Sequence, residues 1–173
     1  SLSNRPIYPE ALGASTVSTL IVKNIMTSPV ETIPMDESVE AIKEIFDNSH
    51  YHHLVVLGDG GKCAGVISDR DLLKNLSPFI GKLGERTSDL NCLKRRAHQI
   101  MTRQLVAVRA NTSLRAATRV MLDHRISCLP VVDKDKKCIG IVTVRDVVRW
   151  AMSELEAEPT PEAQQDEPGK RAA

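Results

Sequence analysis

The chain has 173 residues, of which 42% are hydrophobic and 3% aromatic. This length supplies a core for one ordinary domain or for two small ones. Lysine and arginine number 23 against 22 aspartate and glutamate residues. The chain therefore has no net field of either sign that would recruit nucleic acid or an anionic membrane, and we expect a partner that is recognised locally.

The cysteine spacing and the length of the apolar runs indicate the cellular compartment of the protein. The cysteines are widely spaced without a C-x-x-C pair, and no signal-peptide pattern opens the sequence. The longest apolar runs are strand-sized, well short of the ~20 residues that a membrane helix needs. We therefore predict reduced thiols, a cytoplasmic location and no membrane insertion.

An internal repeat organises the chain. Residues 25–73 match residues 100–148 without gaps at a constant offset of 75. The matched pairs include Ile25 with Ile100, Ser38 with Ser113, Leu54 with Leu129, Cys63 with Cys138, and Arg70-Asp71 with Arg145-Asp146. Because one register holds over this length, the sequence predicts two copies of one structural unit.

In chain order, residues 1–19 lack periodicity, and we expect them to be flexible. Each unit then opens with a short extended piece, at 30–33 and at 105–108. A helix with apolar residues at helical spacing follows, and in the first unit Asp36 is placed to cap it. Two apolar runs around a polar turn predict a β-hairpin, and a last helix begins at Ser68 or Thr143.

These elements predict an α+β fold of two β-α-β-β-α units. Unit 1 spans 20–76 and unit 2 spans 98–152. The linker, 77–97, contains a helix with apolar residues at Leu90, Leu93 and Ala97, and the Pro- and Glu-rich tail, 153–173, is expected to be flexible. Since a unit of ~50 residues cannot cover its sheet alone, we predict a pseudo-twofold pair.

The last helices begin with similar motifs, "GVISDRD" and "GIVTVRD". Free N–H groups and the helix dipole favour a phosphate at such an end, and an Asp one turn later can accept both hydrogen bonds of a ribose diol. Arginines beside these carboxylates add charge for phosphate. The candidate residues are Ser68, Arg70, Asp71, Thr143, Arg145 and Asp146. The alternative is that each motif is only a capping box that stabilises its helix.

The two units resemble cystathionine-β-synthase (CBS) domains, and the pair resembles the arrangement called a Bateman module. The resemblance covers roughly 19–152 and rests on the "IMT" openings, the "HLVV" and "CLPVVD" strands and the two motifs above. "SDRDLL" and "SPFIG" are also similar to bacterial stand-alone CBS proteins of the acetoin-utilisation type.

The resemblance implies a regulatory module that binds an adenosine-containing nucleotide in clefts between the units. AMP, ADP, ATP, an NAD-type dinucleotide and S-adenosylmethionine are the expected ligand classes. It further implies no catalytic residues and no required cofactor, a homodimer, and an output passed to an unidentified protein target. The competing interpretation is a ligand-free structural module for dimerisation.

The resemblance also implies roles outside the motifs. His52 and His53 are placed to reach phosphates, whereas their counterparts Ser127 and Cys128 carry no positive charge, so we expect unequal sites. An apolar adenine slot is expected from the opening segments and first strands, with plain core packing as the alternative. The residues of that slot are Ile25, Met26, Val30, Ile100, Met101 and Leu105.

Two clusters invite other functions. His50, His52 and His53 form a cluster, but on an extended chain His50 and His52 point to one face and His53 to the other, so at most two converge and we predict no metal site. Lys94, Arg95 and Arg96 form a basic run without interleaved aromatic residues, which is typical of a solvated helix face, and we predict no direct nucleic-acid binding.

Overall fold

A computed structural model describes residues 20–103 and 105–157. Residues 1–19, and 158–173 of the predicted tail, lie outside the described residues. The first unit contains β1 (Thr32–Pro34), α1 (Val39–Asn48), β2 (His53–Leu57), β3 (Cys63–Ser68) and α2 (Asp69–Asn75). The rest contains α3 (Thr87–Leu90), α4 (Ala97–Ile100), α5 (Leu114–His124), β4 (Cys128–Val132), β5 (Cys138–Thr143) and α6 (Val144–Ala157). The mixed α+β fold is as predicted.

Each unit is built around a hairpin, β2–β3 or β4–β5, whose strands pair antiparallel. In the first unit β1 adds a parallel strand to β2. The predicted strand at 105–108 is reduced to one parallel bridge, between Val108 and Val131. That bridge lies where Ile33 pairs with Val56 in the first unit, so the repeat is preserved with a shorter edge.

The first long helix of each unit begins at a serine. The Ser38 hydroxyl accepts a hydrogen bond from the Ala41 N–H at 3.1 Å, and the Ser113 hydroxyl accepts one from the Ala116 N–H at 3.2 Å. The prediction that Asp36 caps α1 was wrong. Ser38 is the residue with the extended backbone at the N-cap, and Asp36 lies two residues before it in a turn after β1.

The opening segment of each repeat packs against the other unit. Val22 lies in the core of the second unit, whereas Ala97 and Ile100 lie in the core of the first. The backbone bridges of this exchange pair Ile21 with Ser113, Thr27 with Ile141, Arg96 with Ser38 and Thr102 with Val66. The two units are therefore held together by main-chain hydrogen bonds as well as by their buried sheets.

The linker differs from the single helix expected at Leu90, Leu93 and Ala97. Two one-turn helices, α3 and α4, form instead. Between them the carbonyl oxygens of Leu93 and Arg95 accept hydrogen bonds from the first N–H groups of α1, at 3.1 and 2.8 Å. The chain continues from α3 as a turn, in which the Leu93 and Arg95 N–H groups bond to the carbonyl oxygens of Leu90 and Cys92. This turn satisfies donors that a helix N-terminus leaves free.

Helix α6 ends at Ala157, beyond the predicted boundary at 152. Leu155 continues the apolar spacing of Val148 and Met152, and the residues between them favour helix. The described part of the predicted tail, Ser153–Ala157, is therefore helical.

Candidate functional site

Two adjoining clefts lie between the units, with volumes of about 910 and 270 Å³. Thr143, Asp146 and Val30 line the larger cleft, and Asp71 and Leu105 line the smaller one. The exchange of opening segments explains this pairing, because Thr27 bridges β5 and Thr102 bridges β3. The residues that line both clefts are His53, Ser68, Arg70, Arg125, Ile126 and Ser127.

At the larger cleft, the end of β5 and the start of α6 form a closed hydrogen-bond pattern. Asp146 Oδ2 accepts bonds from the Thr143 hydroxyl at 2.7 Å and the Thr143 N–H at 2.8 Å. The Asp146 N–H donates to Thr143 Oγ1 at 3.2 Å. Asp146 is buried, and its Oδ1 accepts a bond at 3.1 Å from Arg149 one turn later. Both carboxylate oxygens are therefore held in place before any ligand arrives.

The first unit has the same cap at the start of α2, but its carboxylate lacks a contact like the one from Arg149 to Asp146. Asp71 Oδ2 accepts bonds from the Ser68 hydroxyl at 2.6 Å and from the Ser68 N–H at 3.0 Å. The position that corresponds to Arg149 holds Lys74. Lys74 lines the smaller cleft and makes no ion pair with Asp71 among the salt bridges of the described residues. The two motifs thus differ in how they hold their carboxylates.

His52 and His53 line one wall of the larger cleft, and His53 makes a contact between the units. His52 Nδ1 lies 2.9 Å from Asp69 Oδ2, and this hydrogen bond holds the pKa of Asp69 below its ordinary value. His53 Nε2 lies 3.1 Å from the Ser127 hydroxyl of the second unit. Burial lowers the pKa of His53. At neutral pH His53 is therefore a hydrogen-bonding group more than a cation.

Sequence reasoning missed several polar groups of the larger cleft, among them Arg125, Arg149 and Asp69. Arg125 ends α5 with φ 54°, a left-handed conformation that costs a non-glycine residue energy. At the repeat offset it corresponds to His50, which also lines this cleft. A basic residue at the same position of both repeats was the sequence signal that could have identified Arg125 as a cleft residue. Four arginines and three carboxylates line the cleft, so it favours an anionic ligand that also carries hydrogen-bond donors.

Four residues of the predicted adenine slot line neither cleft: Ile25, Met26, Ile100 and Met101. They pack instead against the two cores of the units. The Met26 side chain lies over Gly140 and the Met101 side chain lies over Gly65. The two methionines lie in the exchanged segments, where main chain approaches main chain, and their flexible side chains fit the irregular space there.

His50, His52 and His53 all line the larger cleft. Within 20–103 and 105–157, no group of three or more His, Cys, Asp and Glu side chains is arranged to hold a metal ion. Over the same residues, no helix is long and apolar enough to cross a membrane.

Solved structures similar to this chain include several CBS domain pairs. CBSX2 in complex with AMP is 30% identical, with a TM-score of 0.65 over 79% of this chain and 98% of that one. The CBS domain pair of protein MJ0100, in complex with 5′-methylthioadenosine and S-adenosyl-L-methionine, is 25% identical, with the same TM-score and coverage. A putative acetoin utilization protein, AcuB from Vibrio cholerae, is 26% identical, with a TM-score of 0.65 over 82% of this chain and 99% of that one.

Some curated relatives are much longer proteins. Homoserine O-acetyltransferase from Methanosarcina acetivorans is 28% identical over 77% of this chain, but the chain spans only 22% of that protein. The name of that enzyme therefore describes a protein of which the matched region is about a fifth.

The family model described as CBS domain matches residues 22–78 and again residues 97–153. Both matches contain one hairpin and one capped last helix of the structure. The resemblance seen in the sequence is confirmed: the chain belongs to the CBS domain family and carries two of its domains in tandem.

Proposed function

We propose that this chain is a regulatory module that senses an adenosine-containing nucleotide bound between its two CBS domains. The observation that carries the proposal is the larger cleft, where the carboxylate of Asp146, held at a helix N-terminus, faces arginines from both units. The complexes of CBSX2 with AMP and of MJ0100 with adenosine derivatives support the ligand class.

Each part of such a ligand has a matching group in the larger cleft. Asp146 accepts hydrogen bonds from the ribose hydroxyls. Arg70, Arg125 and Arg145 supply charge for phosphate, aided by the positive end of the helix dipole at the start of α6. Val30, with other apolar groups of the same wall, gives the base an apolar surface. The smaller cleft, with Ser68, Asp71 and Leu105, is a second, weaker site.

Sensing follows from the way the cleft is built. Its walls come from both units, so a bound nucleotide favours the arrangement of units that contacts it best, and it shifts the population toward that arrangement. We place this module in the cytoplasm as a homodimer that passes the change to a protein target, with no catalytic step of its own.

A ligand-free structural module is the second candidate, and one observation favours it. The hydrogen bonds of Ser68 with Asp71 and of Thr143 with Asp146 are complete capping boxes without any ligand. Such caps are worth about 0.5–2 kcal/mol each, so stability alone accounts for the motif. Only a binding measurement separates the two functions.

Thermal unfolding with added nucleotides tests the proposal. The probes are AMP, ADP, ATP, NAD and S-adenosylmethionine, each added to the purified chain. A ligand at ~100 times its Kd adds ~2.7 kcal/mol, which raises the Tm by about 5–10 °C for a chain of this size. If no probe shifts the Tm and calorimetry detects no heat of binding, the structural module is the correct function.

Point variants then separate binding from capping. Asp146→Ala should weaken the ligand at least about tenfold, since a hydrogen-bonding carboxylate is lost, and should also reduce stability. The matched control is Ser113→Ala, which removes the cap of α5 away from the clefts and should reduce stability without changing affinity. Unchanged affinity in Asp146→Ala would limit the motif at this cleft to capping.

A further inference from the structure

Two cysteines occupy equivalent positions in the repeat and meet where the hairpins approach each other. Cys63 begins β3 and Cys138 begins β5. The turns beside them are joined by an antiparallel bridge between Lys62 and Lys137. In the same contact the Cys63 N–H donates a hydrogen bond to the Lys136 carbonyl oxygen at 3.1 Å. Main-chain bonds therefore hold the starts of β3 and β5, which carry the two cysteines, beside each other.

The Cys138 thiol donates a hydrogen bond to the Gly140 carbonyl oxygen at 3.4 Å. A hydrogen bond with the Cys63 thiol lowers the pKa of Cys138 to about 7. The same bond, together with burial, raises the pKa of Cys63. Both residues are half-buried, so a small reagent can reach them. One thiolate beside one thiol is the pairing needed for stepwise oxidation.

The other cysteines lack this arrangement. Burial raises the pKa of Cys128 to about 12, which keeps that thiol protonated at neutral pH. Cys92 donates its S–H to the Asp89 carbonyl oxygen at 2.9 Å and accepts a hydrogen bond from the Ser77 N–H at 3.4 Å. Cys92 therefore interacts within the linker, with main-chain groups rather than with a second thiol.

We propose that Cys63 and Cys138 form a dithiol site that hydrogen peroxide oxidises to an intrachain disulfide, which ties the two CBS domains together at their hairpin turns. The Cys138 thiolate attacks one oxygen of the peroxide and breaks the O–O bond. This gives a sulfenic acid on Cys138 and hydroxide, which takes up a proton to become water. The Cys63 sulfur then displaces water from the sulfenic sulfur and forms the S–S bond. In balance, two thiols and one peroxide give one disulfide and two waters.

The site is independent of nucleotide binding, although the two are connected through the strands. The cysteines begin β3 and β5, and Ser68 and Thr143 end the same strands at the clefts. A disulfide at one end of this strand pair restrains the hairpins relative to each other. Oxidation of a chain that binds no nucleotide at all remains a valid test of the dithiol.

The experiment treats the reduced full-length chain with hydrogen peroxide, blocks the remaining thiols with N-ethylmaleimide, and maps tryptic peptides without reduction. Cleavage after lysine and arginine gives residues 63–70 and 138–145 as separate peptides with one cysteine each. We expect these two peptides to be linked, in a chain that stays monomeric by covalent mass, and dithiothreitol to release them.

Variants test the order of the steps. Cys63→Ser should leave the Cys138 sulfenic acid, which dimedone traps, whereas Cys138→Ser should give no linked peptide and less trapped product. Cys92→Ser is the matched control and should form the linked peptide at the wild-type rate. A linkage through Cys128, a linkage between two chains, or oxidation of Cys138 to the sulfinic acid without cross-linking in the wild-type chain would overturn the proposal.

Discussion

His53 is the residue whose charge state most directly affects the contact between the two units. His53 is the first residue of β2, and its Nε2 lies 3.1 Å from the Ser127 hydroxyl. Burial is the main cause that lowers its pKa from 6.5, and the nearby His52 acts in the same direction. Asp69 and Asp71 oppose the shift. The folded protein therefore favours the neutral imidazole at a place where the units touch.

This shift predicts a loss of stability in mild acid. Because the folded pKa of His53 lies below the unfolded value of 6.5, the unfolded chain binds more protons as the pH falls, and the free energy of unfolding falls with it. The contribution is fully present above pH 6.5 and is lost as the pH falls through the folded pKa. The depressed pKa of Asp69, ordinarily 3.8, acts only at lower pH.

Urea denaturation between about pH 8 and pH 5 measures the effect. His53→Gln keeps a hydrogen-bonding side chain without the titration, so its unfolding free energy should decline less over this range than that of the wild type. His124→Gln, at the exposed end of α5, should behave as the wild type does. Equal declines in all three proteins would show that His53 does not carry the pH dependence.

At the scale of single elements, β3 and β5 each contain a glycine that lets the exchanged segment approach. A Cβ on Gly140 would lie 2.9 Å from the Thr27 carbonyl oxygen and 3.0 Å from Met26 Sδ. A Cβ on Gly65 would meet Thr102 and Met101 at 2.8 Å. The absence of a side chain at these positions is what allows the bridges between β5 and Thr27 and between β3 and Thr102.

Gly140→Ala should therefore destabilise the protein and alter the larger cleft. The added Cβ meets a main-chain oxygen that is already hydrogen-bonded to Ile141 at 3.0 Å, so relief requires the segment around Thr27 to move. We expect a loss of about 1–3 kcal/mol in unfolding free energy and weaker nucleotide binding, because that segment lines the cleft.

Urea denaturation and calorimetry check both effects. Gly58→Ala is the matched control, because its nearest neighbour is the Ala64 Cβ at 3.3 Å and the site lies outside the clefts. It should cost less stability and leave affinity unchanged. If Gly140→Ala is as stable as the wild type, the close approach does not constrain β5.

The elements that sequence predicts well are those whose signals are local. The hairpins and the helix starts at Ser68 and Thr143 follow from apolar runs and a capping residue, and the repeat doubles each signal. The exchange of opening segments carries no such signal. For Ile25 and Met26 the sequence allows either an adenine slot or core packing, and the structure packs both side chains against the core of the second unit.

The linker and the cleft arginines show the same limit. Leu90 and Leu93 have helical spacing, but α3 ends at Leu90, and the turn after it presents the Leu93 and Arg95 carbonyl oxygens to the first turn of α1. Arg149 contacts Asp146 one turn along the same helix, which the sequence could have indicated. Arg125 lines both clefts and follows α5 in a left-handed conformation, and its signal in the sequence was the basic residue His50 at the same place in the first repeat.

For the whole molecule, the largest unexplained feature is an apolar stripe on α6. Val144, Val148, Met152 and Leu155 recur on one face of this helix with exposures of 43, 55, 50 and 52%. Polar and charged residues are the usual composition of an exposed helix face. A stripe of this kind indicates a surface that another chain covers, and the proposed homodimer assigns it to a second copy.

Charge substitutions on the stripe test that assignment. Met152→Glu and Val148→Glu each put a carboxylate into an apolar contact without a partner, at a cost of several kcal/mol if it is buried there. Since each 1.4 kcal/mol is a factor of ten, the dimer Kd should rise at least about 100-fold. Sedimentation velocity over a range of concentrations should find a dimer for the wild type and a monomer for both variants.

The control is Leu83→Glu, which places the same charge on a leucine that is fully exposed, at 105%, in the linker. It should remain a dimer, because nothing in the proposed contact involves the linker. A monomeric wild type, or equal dissociation in all three variants, would contradict the role of α6.

The first turn of α6, next to Thr143 and with Asp146, lies in the larger cleft, and the later turns of the same helix carry the stripe. A nucleotide that repositions its first turn must then move the dimer contact too, so the dimer Kd should depend on ligand in the wild type.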